Sequence, residues 1–255
     1  MINISELCAV AVEAGKAILE VYNSDDFEVE LKSDNSPLTR ADLASHDLIK
    51  ERLNSLYPDI PILSEEGKEI EFDKRKEWDK FWMIDPLDGT KEFIKRNGDF
   101  TVNIALIENK EPVLGVIHVP VTNETYFSDF ENGSYKIEKE EKAKRINVSS
   151  KSADEQLIVV QSRSHSGEEE SDFYSNYKIK ERLSRGSSLK ICMVAEGKAE
   201  LYFRSGPTWE WDTAAGHAIL EAAGGYIINK SKSTLVYNKQ ILKNFGFIVS
   251  SFEIN

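Results

Sequence analysis

The chain has 255 residues, enough for one large domain or two closely packed lobes with a sizeable core. Its 40% hydrophobic and 30% charged residues, with four Trp, nine Tyr and twelve Phe, exclude a disordered chain. A formal charge of -12 excludes a general nucleic-acid binder, and it implies that a phosphorylated ligand is drawn in only by locally placed cations, metal ions above all.

Residues 3–23 read as an amphipathic helix with Leu7, Val10, Ala14, Ala17, Ile18 and Val21 on one face. Glu6, Glu13, Lys16 and Glu20 interrupt the stretch and exclude a signal peptide. A second helix is predicted over 40–56, ending before Pro58, with short strands at 60–63 and 81–84. Residues 100–137 contain β-rich runs separated by "ENKEP", "PVTNE" and "ENG", the pattern of an antiparallel meander. The polar segment 138–156 places a lobe boundary near 150, dividing 1–150 from 151–255. Beyond it come a strand at 157–162, helices at 168–175 and 187–196, a strand at 199–203, a helix at 212–223 closed by Gly224-Gly225, and strands in "GYII" and "FGFIVSS". The fold class is mixed α/β, with two sheets and intervening helices. No run approaches a membrane-spanning length, and Cys8 and Cys192 lack the spacing of a zinc site or disulfide framework, as in a cytoplasmic protein with reduced thiols.

Carboxylates gather at the ends of these elements. Glu65 and Glu66 follow one strand in "ILSEEG", Asp85 and Asp88 follow another in "MIDPLDGT", and Asp212 opens a helix in "WEWDTAAG". Taken singly, Asp212 reads as a helix cap and Glu-Glu-Gly as a solvated turn. Pro86 stops the strand from simply continuing, Gly89 lets backbone approach a ligand, and Thr90 begins the short helix "TKEFI", whose amides can meet a phosphate. Several carboxylates shared between ions suit hard, octahedral Mg²⁺.

The segments "TRADLASH", "LSEEG", "WMIDPLDGTKEF", "SRSH", "GSSLK" and "WEWDTAAG" occur in the order found in the inositol monophosphatase superfamily, which the chain resembles over nearly its whole length. That superfamily comprises Mg²⁺-dependent, lithium-sensitive phosphatases with a layered αβαβα sandwich of the sugar-phosphatase type. "DGTKEF", with "SRSH" and "SSLK", is most similar to the 3'(2'),5'-bisphosphate nucleotidase branch, which hydrolyses adenosine 3',5'-bisphosphate to AMP and phosphate.

The resemblance implies that Glu65, Asp85 and the Leu87 carbonyl hold one Mg²⁺ and that Asp85, Asp88 and Asp212 hold a second, with a third, weaker ion near Glu65. It implies that Thr90, paired with either Glu65 or Asp42, orients the attacking water. The Gly89 and Thr90 amides would hold the scissile phosphate, and His165, Ser187, Lys190 and Arg204 the nucleotide. His46 and His217 are expected to be structural. Read alone, Lys190 is a solvated surface lysine and His165 an ordinary loop residue. Trp209 departs from the family pattern, which has Met there. The expected partner is a small-molecule nucleotide, with no nucleic acid and no integral membrane segment, for a monomer or homodimer; peripheral association with the inner membrane face is left open. A haloacid-dehalogenase-type site fits poorly, because its two aspartates are separated by one residue rather than two. Inositol phosphate or fructose 1,6-bisphosphate, and a non-catalytic nucleotide sensor, are the alternative readings.

Overall fold

The computed structural model describes residues 2–24, 30–31, 37–129, 132–139, 141–163 and 167–254. Helix α1 (Ile4–Tyr22) begins where Asn3 Oδ1 accepts from the Ser5 and Glu6 amides, at 3.1 and 3.4 Å. The antiparallel pair β1 (Glu30–Leu31) and β2 (Pro37–Leu38) leads into α2 (Arg40–Leu56), which Thr39 and Asp42 cap reciprocally.

A seven-stranded sheet follows, in the order β3 (Ile62–Ser64), β4 (Lys80–Asp88), β5 (Thr101–Glu108), β6 (Glu111–Val119), β7 (Glu124–Asp129), β8 (Gly133–Glu138) and β9 (Lys144–Ile146). Only the β3–β4 pair is parallel; the rest is an antiparallel meander. Short helices α3 (Phe72–Arg75) and α4 (Thr90–Ile94) lie in its first connections. Side chains alternate across the sheet. Trp82, Ile84, Val102, Ile104, Leu114 and Val116 pack toward α1 and α2, whereas Phe81, Met83, Ala105, Ile107 and Ile117 face the opposite core.

That opposite core is supplied by the later half of the chain. A five-stranded sheet is ordered β11 (Lys178–Arg185), β10 (Gln156–Ser162), β12 (Leu201–Arg204), β16 (Phe247–Ser250) and β14 (Tyr226–Asn229). Between the two sheets lie α6 (Leu189–Ala195) and α7 (Trp211–Ala222), and α5 (Glu168–Tyr174) covers the far face through Tyr174, Phe203, Leu157 and Ile248. A short antiparallel ribbon pairs β13 (Thr208–Trp209), which immediately precedes α7, with β15 (Lys243–Asn244). The layers therefore run αβαβα. The first sheet ends at Ile146 and the second begins at Gln156. Cys8 and Cys192 are buried free thiols, and no helix among the described residues is long and apolar enough to cross a membrane.

Some elements depart from the periodicity. Strand β11, with the sequence "KIKERLSR", was not expected because it carries almost no apolar alternation; it is an edge strand paired only to β10. Helix α3 is one turn long, too short to show a period. Helix α6 begins at Leu189 rather than 187 because Ser187 adopts φ 45°, outside the right-handed helical region. The strand expected at 60–63 is β3, starting at Ile62.

Helix α7 sits unusually close to β6. A Cβ built on Gly115 would lie 2.2 Å from the Ala215 carbonyl oxygen, so only glycine lets the helix backbone settle there. Gly115→Ala should therefore lower the unfolding free energy by about 1–3 kcal/mol, the scale of an overpacked core. Urea denaturation reads this as a lower midpoint, and a midpoint equal to that of the natural chain would contradict this seating of α7.

Candidate active site

Strict alternation would send Asp85 and Asp88, three residues apart, to opposite faces of β4. The register resolves this: Asp85 pairs with Asn103 and Asp88 with Thr101, so three steps on β4 match two on β5. The extra residue is a β-bulge at Pro86-Leu87, and it returns Asp88 to the face of Asp85. Ser45 of α2 pins it by donating to the Pro86 carbonyl at 2.7 Å. Glu65 joins from the side, since the Glu65 N–H donates to the Ile84 carbonyl at 3.2 Å and extends the β3–β4 ladder. Asp212 arrives on the first turn of α7. It does not cap that helix; Oδ2 reaches back to accept from the Trp209 N–H at 2.9 Å.

Glu65, Asp85 and Asp212 thus bring one ligand oxygen each within 4.8 Å of one another. Asp85 is 1% exposed; its Oδ1 accepts from the Leu87 N–H at 3.1 Å, and its Oδ2 is buried with no hydrogen-bond partner among the described residues. Burial, then the neighbouring Glu65 and Asp88, push the Asp85 pKa well above the ordinary carboxylate range. Burial and then Asp88 and Glu65 do the same to Asp212. An orphaned buried oxygen among mutually repelling carboxylates, all hard donors, fits a divalent cation such as Mg²⁺.

Asp88 is held differently. Its Oδ2 accepts from the Ser188 N–H at 2.7 Å, the Ser188 hydroxyl at 2.6 Å and Asn103 Nδ2 at 3.4 Å. Ser188 and Asn103 were not singled out from the sequence. Asn103, a polar residue at an inward position of "TVNIALI", was the available signal; Ser188 is indistinguishable from its neighbour by pattern. Leu87 is buried in the α1–α2 core and meets the site through its backbone. Thr90 donates to Asp42 Oδ1 at 3.2 Å, while Asp42 Oδ2 accepts from the Thr39 N–H at 2.8 Å and the Thr39 hydroxyl at 2.5 Å. Gly89, at φ 94°, makes the turn between β4 and α4. His46 Nδ1 lies 2.8 Å from Ser64 Oγ and His217 Nδ1 lies 3.0 Å from the Tyr237 hydroxyl, both buried and both in supporting positions.

A cavity opens beside the carboxylates, lined by Asp88, Gly89, Ser187, Lys190, Arg204 and Asp212 among others. Lys190 is not the solvated lysine that its sequence context suggests: it is 6% exposed and donates to the Ser187 carbonyl at 2.6 Å. Burial brings its pKa down to about 8, against the opposing pull of Asp88. Ser187 Oγ and Arg204 Nε are buried without partners among the described residues. Arg163 pairs with Asp99 at 2.8 Å nearby, and His165 lies outside the described residues.

The model of the inositol monophosphatase family matches residues 3–252. The 3'(2'),5'-bisphosphate nucleotidase CysQ of Salmonella typhimurium is 45% identical over 98% of this chain and 100% of its own. The protein of the same name from Escherichia coli K12 is 44% identical, again over 98% of this chain and 100% of its own. Among solved structures, CysQ from Bacteroides thetaiotaomicron superposes with a TM-score of 0.83 at 44% identity, covering 98% of each chain. The Thermotoga maritima inositol monophosphatase superposes at 0.80 with 25% identity, covering 97% of this chain and 91% of its own. Motif order, the αβαβα layering and the carboxylate cluster agree with these matches, and the chain belongs to the inositol monophosphatase family.

Proposed function

We propose that this protein is a Mg²⁺-dependent phosphatase that converts adenosine 3',5'-bisphosphate to AMP and phosphate. The observation that carries the reading is a juxtaposition: Asp212 of the carboxylate cluster able to hold metal, together with Asp88, lines one cavity with Lys190, Arg204 and Ser187, groups suited to a second anionic group. Nearly full-length similarity to relatives named 3'(2'),5'-bisphosphate nucleotidase supports a nucleotide over a sugar phosphate.

Glu65, Asp85 and Asp212, with Asp88 through Oδ1 and the Leu87 carbonyl, would hold two to three ions. When bound, Mg²⁺ supplies positive charge that activates water and offsets the charge gathering on phosphate oxygens. The chain's own groups do the rest. Thr90 already donates its proton to Asp42, so its lone pairs are free to accept from the attacking water, and Asp42 takes the proton at the end of that relay. The Thr39 contacts fix Asp42 for this purpose. Lys190, Arg204 and Ser187 would hold the phosphate that does not react.

Phosphate release across adenosine 3',5'-bisphosphate, inositol 1-phosphate and fructose 1,6-bisphosphate in Mg²⁺ tests the substrate. The nucleotide should have the highest kcat/KM; a higher value for either sugar phosphate would overturn the reading. Arg204→Ala should raise KM for the bisphosphate roughly tenfold, in keeping with loss of a hydrogen bond to a charged group. Equal losses on bisphosphate and monophosphate substrates would instead place Arg204 in support of the fold. For the metal, Asp85→Asn removes a repelling buried charge, so the variant should be about 1–3 kcal/mol more stable than the natural chain in EDTA. The natural chain should gain thermal stability from added Mg²⁺ and the variant should not. A variant that responds to Mg²⁺ like the natural chain would remove Asp85 from the metal site.

A further inference from the structure

The cavity contains one buried donor that neither the motifs nor the metal account for. Thr208 lines it, and its Oγ1 is buried with no hydrogen-bond partner among the described residues, as are Ser187 Oγ and Arg204 Nε on the same walls. Three orphaned polar atoms around one small space are a strong sign of a missing partner, because buried polar groups in folded proteins are almost always paired. The chemistry of the set selects that partner. Arg204 and the neighbouring Lys190 can only donate, and the two hydroxyls can donate as well, so the group that satisfies all four is rich in acceptors and anionic.

The local structure aims Thr208 and fixes it. In the β13–β15 ribbon Thr208 pairs with Asn244 and Trp209 with Lys243, so the two side chains leave on opposite faces. Trp209 turns away from the cavity: its ring stacks on Trp211 with centroids 5.1 Å apart, and Lys243 Nζ lies 4.4 Å from its centroid. Its backbone N–H is the donor that holds Asp212 Oδ2. The ribbon is thereby anchored at Trp209, next to Thr208, and by its pairing with β15, so the Thr208 backbone is held in place before any ligand arrives. The ribbon also links the cavity wall to a carboxylate of the metal cluster, so a ligand bound to Thr208 sits at a set distance from the reacting centre.

We propose that Thr208 is a specificity-determining residue that donates to the non-reacting 5'-phosphate of the bisphosphate substrate, alongside Arg204 and Ser187, an inference that rests on the nucleotidase reading above. Thr208→Val keeps the shape and β-branch and deletes the hydroxyl; Thr208→Ser keeps the hydroxyl. Both are compared with the natural full chain in Mg²⁺, using adenosine 3',5'-bisphosphate, adenosine 3'-monophosphate, and 5'-AMP as an inhibitor whose sole phosphate is the non-reacting one. In Thr208→Val the ratio of kcat/KM for the bisphosphate to that for the 3'-monophosphate should fall about tenfold, the Ki for 5'-AMP should rise by about the same factor, and Thr208→Ser should recover most of both. An unchanged ratio and Ki in Thr208→Val overturns the assignment. A parallel loss on both substrates overturns it too, leaving Thr208 as support for the ribbon. A natural chain with no preference for the bisphosphate over the 3'-monophosphate defeats the nucleotidase reading itself, and that is seen before any variant is made.

Discussion

Glu65, Asp85 and Asp212 place oxygens within 4.8 Å of one another where burial raises the cost of every charge, and the rest of the site is arranged around that repulsion. Asp85, Asp88 and Asp212 are each held in place by a backbone N–H. Asp85 accepts from the Leu87 amide, Asp212 from the Trp209 amide, and Asp88 from the amide and hydroxyl of Ser188. An Arg or Lys salt bridge would neutralise the cluster and leave no role for a metal; amides orient the oxygens without cancelling their charge. A cation bound there would become part of the folded energetics.

The same logic explains why the site is assembled from three places. β4 supplies Asp85 and Asp88 through its bulge, the end of β3 supplies Glu65, and α7 carries Asp212 in from the far side. Helix α6 completes the arrangement: Ser188, just ahead of it, locks Asp88, and two residues later Lys190 is buried against the cavity with its ammonium 5.5 Å from the Tyr202 ring centroid. Carboxylates and donors line one cavity, a charge placement that under the nucleotidase reading proposed above would separate a bisphosphate from a simple ester.

Much of this was legible in the sequence because it rests on local pattern. The helices α1, α2 and α7 follow apolar periodicity, the meander follows strand alternation and turn residues, and the aspartates of "DPLDGT" announce themselves at the end of an apolar run. What was illegible depends on contacts distant in sequence. Nothing around Lys190 reveals that Tyr202 will pack against it, and nothing in "GPTW" distinguishes Thr208 as a cavity residue until β15 pairs with it. Strand β11 escaped because an edge position, solvated on much of its surface, imposes no apolar alternation. Asp212 was ambiguous between a cap and a ligand for a related reason: both start a helix, and only the backward reach to Trp209 separates them.

The seating of α7 against Gly115 has a consequence for how the molecule is made. The β6 glycine and its partner Ala215 are brought together from opposite halves of the chain, and Phe81, Met83, Ala105 and Ile117 form the face that they help to cover. As the polypeptide leaves the ribosome, the seven strands through Ile146 can pair and one side can close on α1 and α2, but the other side stays bare until residues beyond 189 emerge. The nascent chain therefore passes through a stage with a broad apolar sheet face open to water, the kind of surface that chaperones engage and that self-associates when left uncovered. Closure of the core and arrival of Asp212 are then one event, so the chain acquires its full carboxylate cluster only once α7 has emerged.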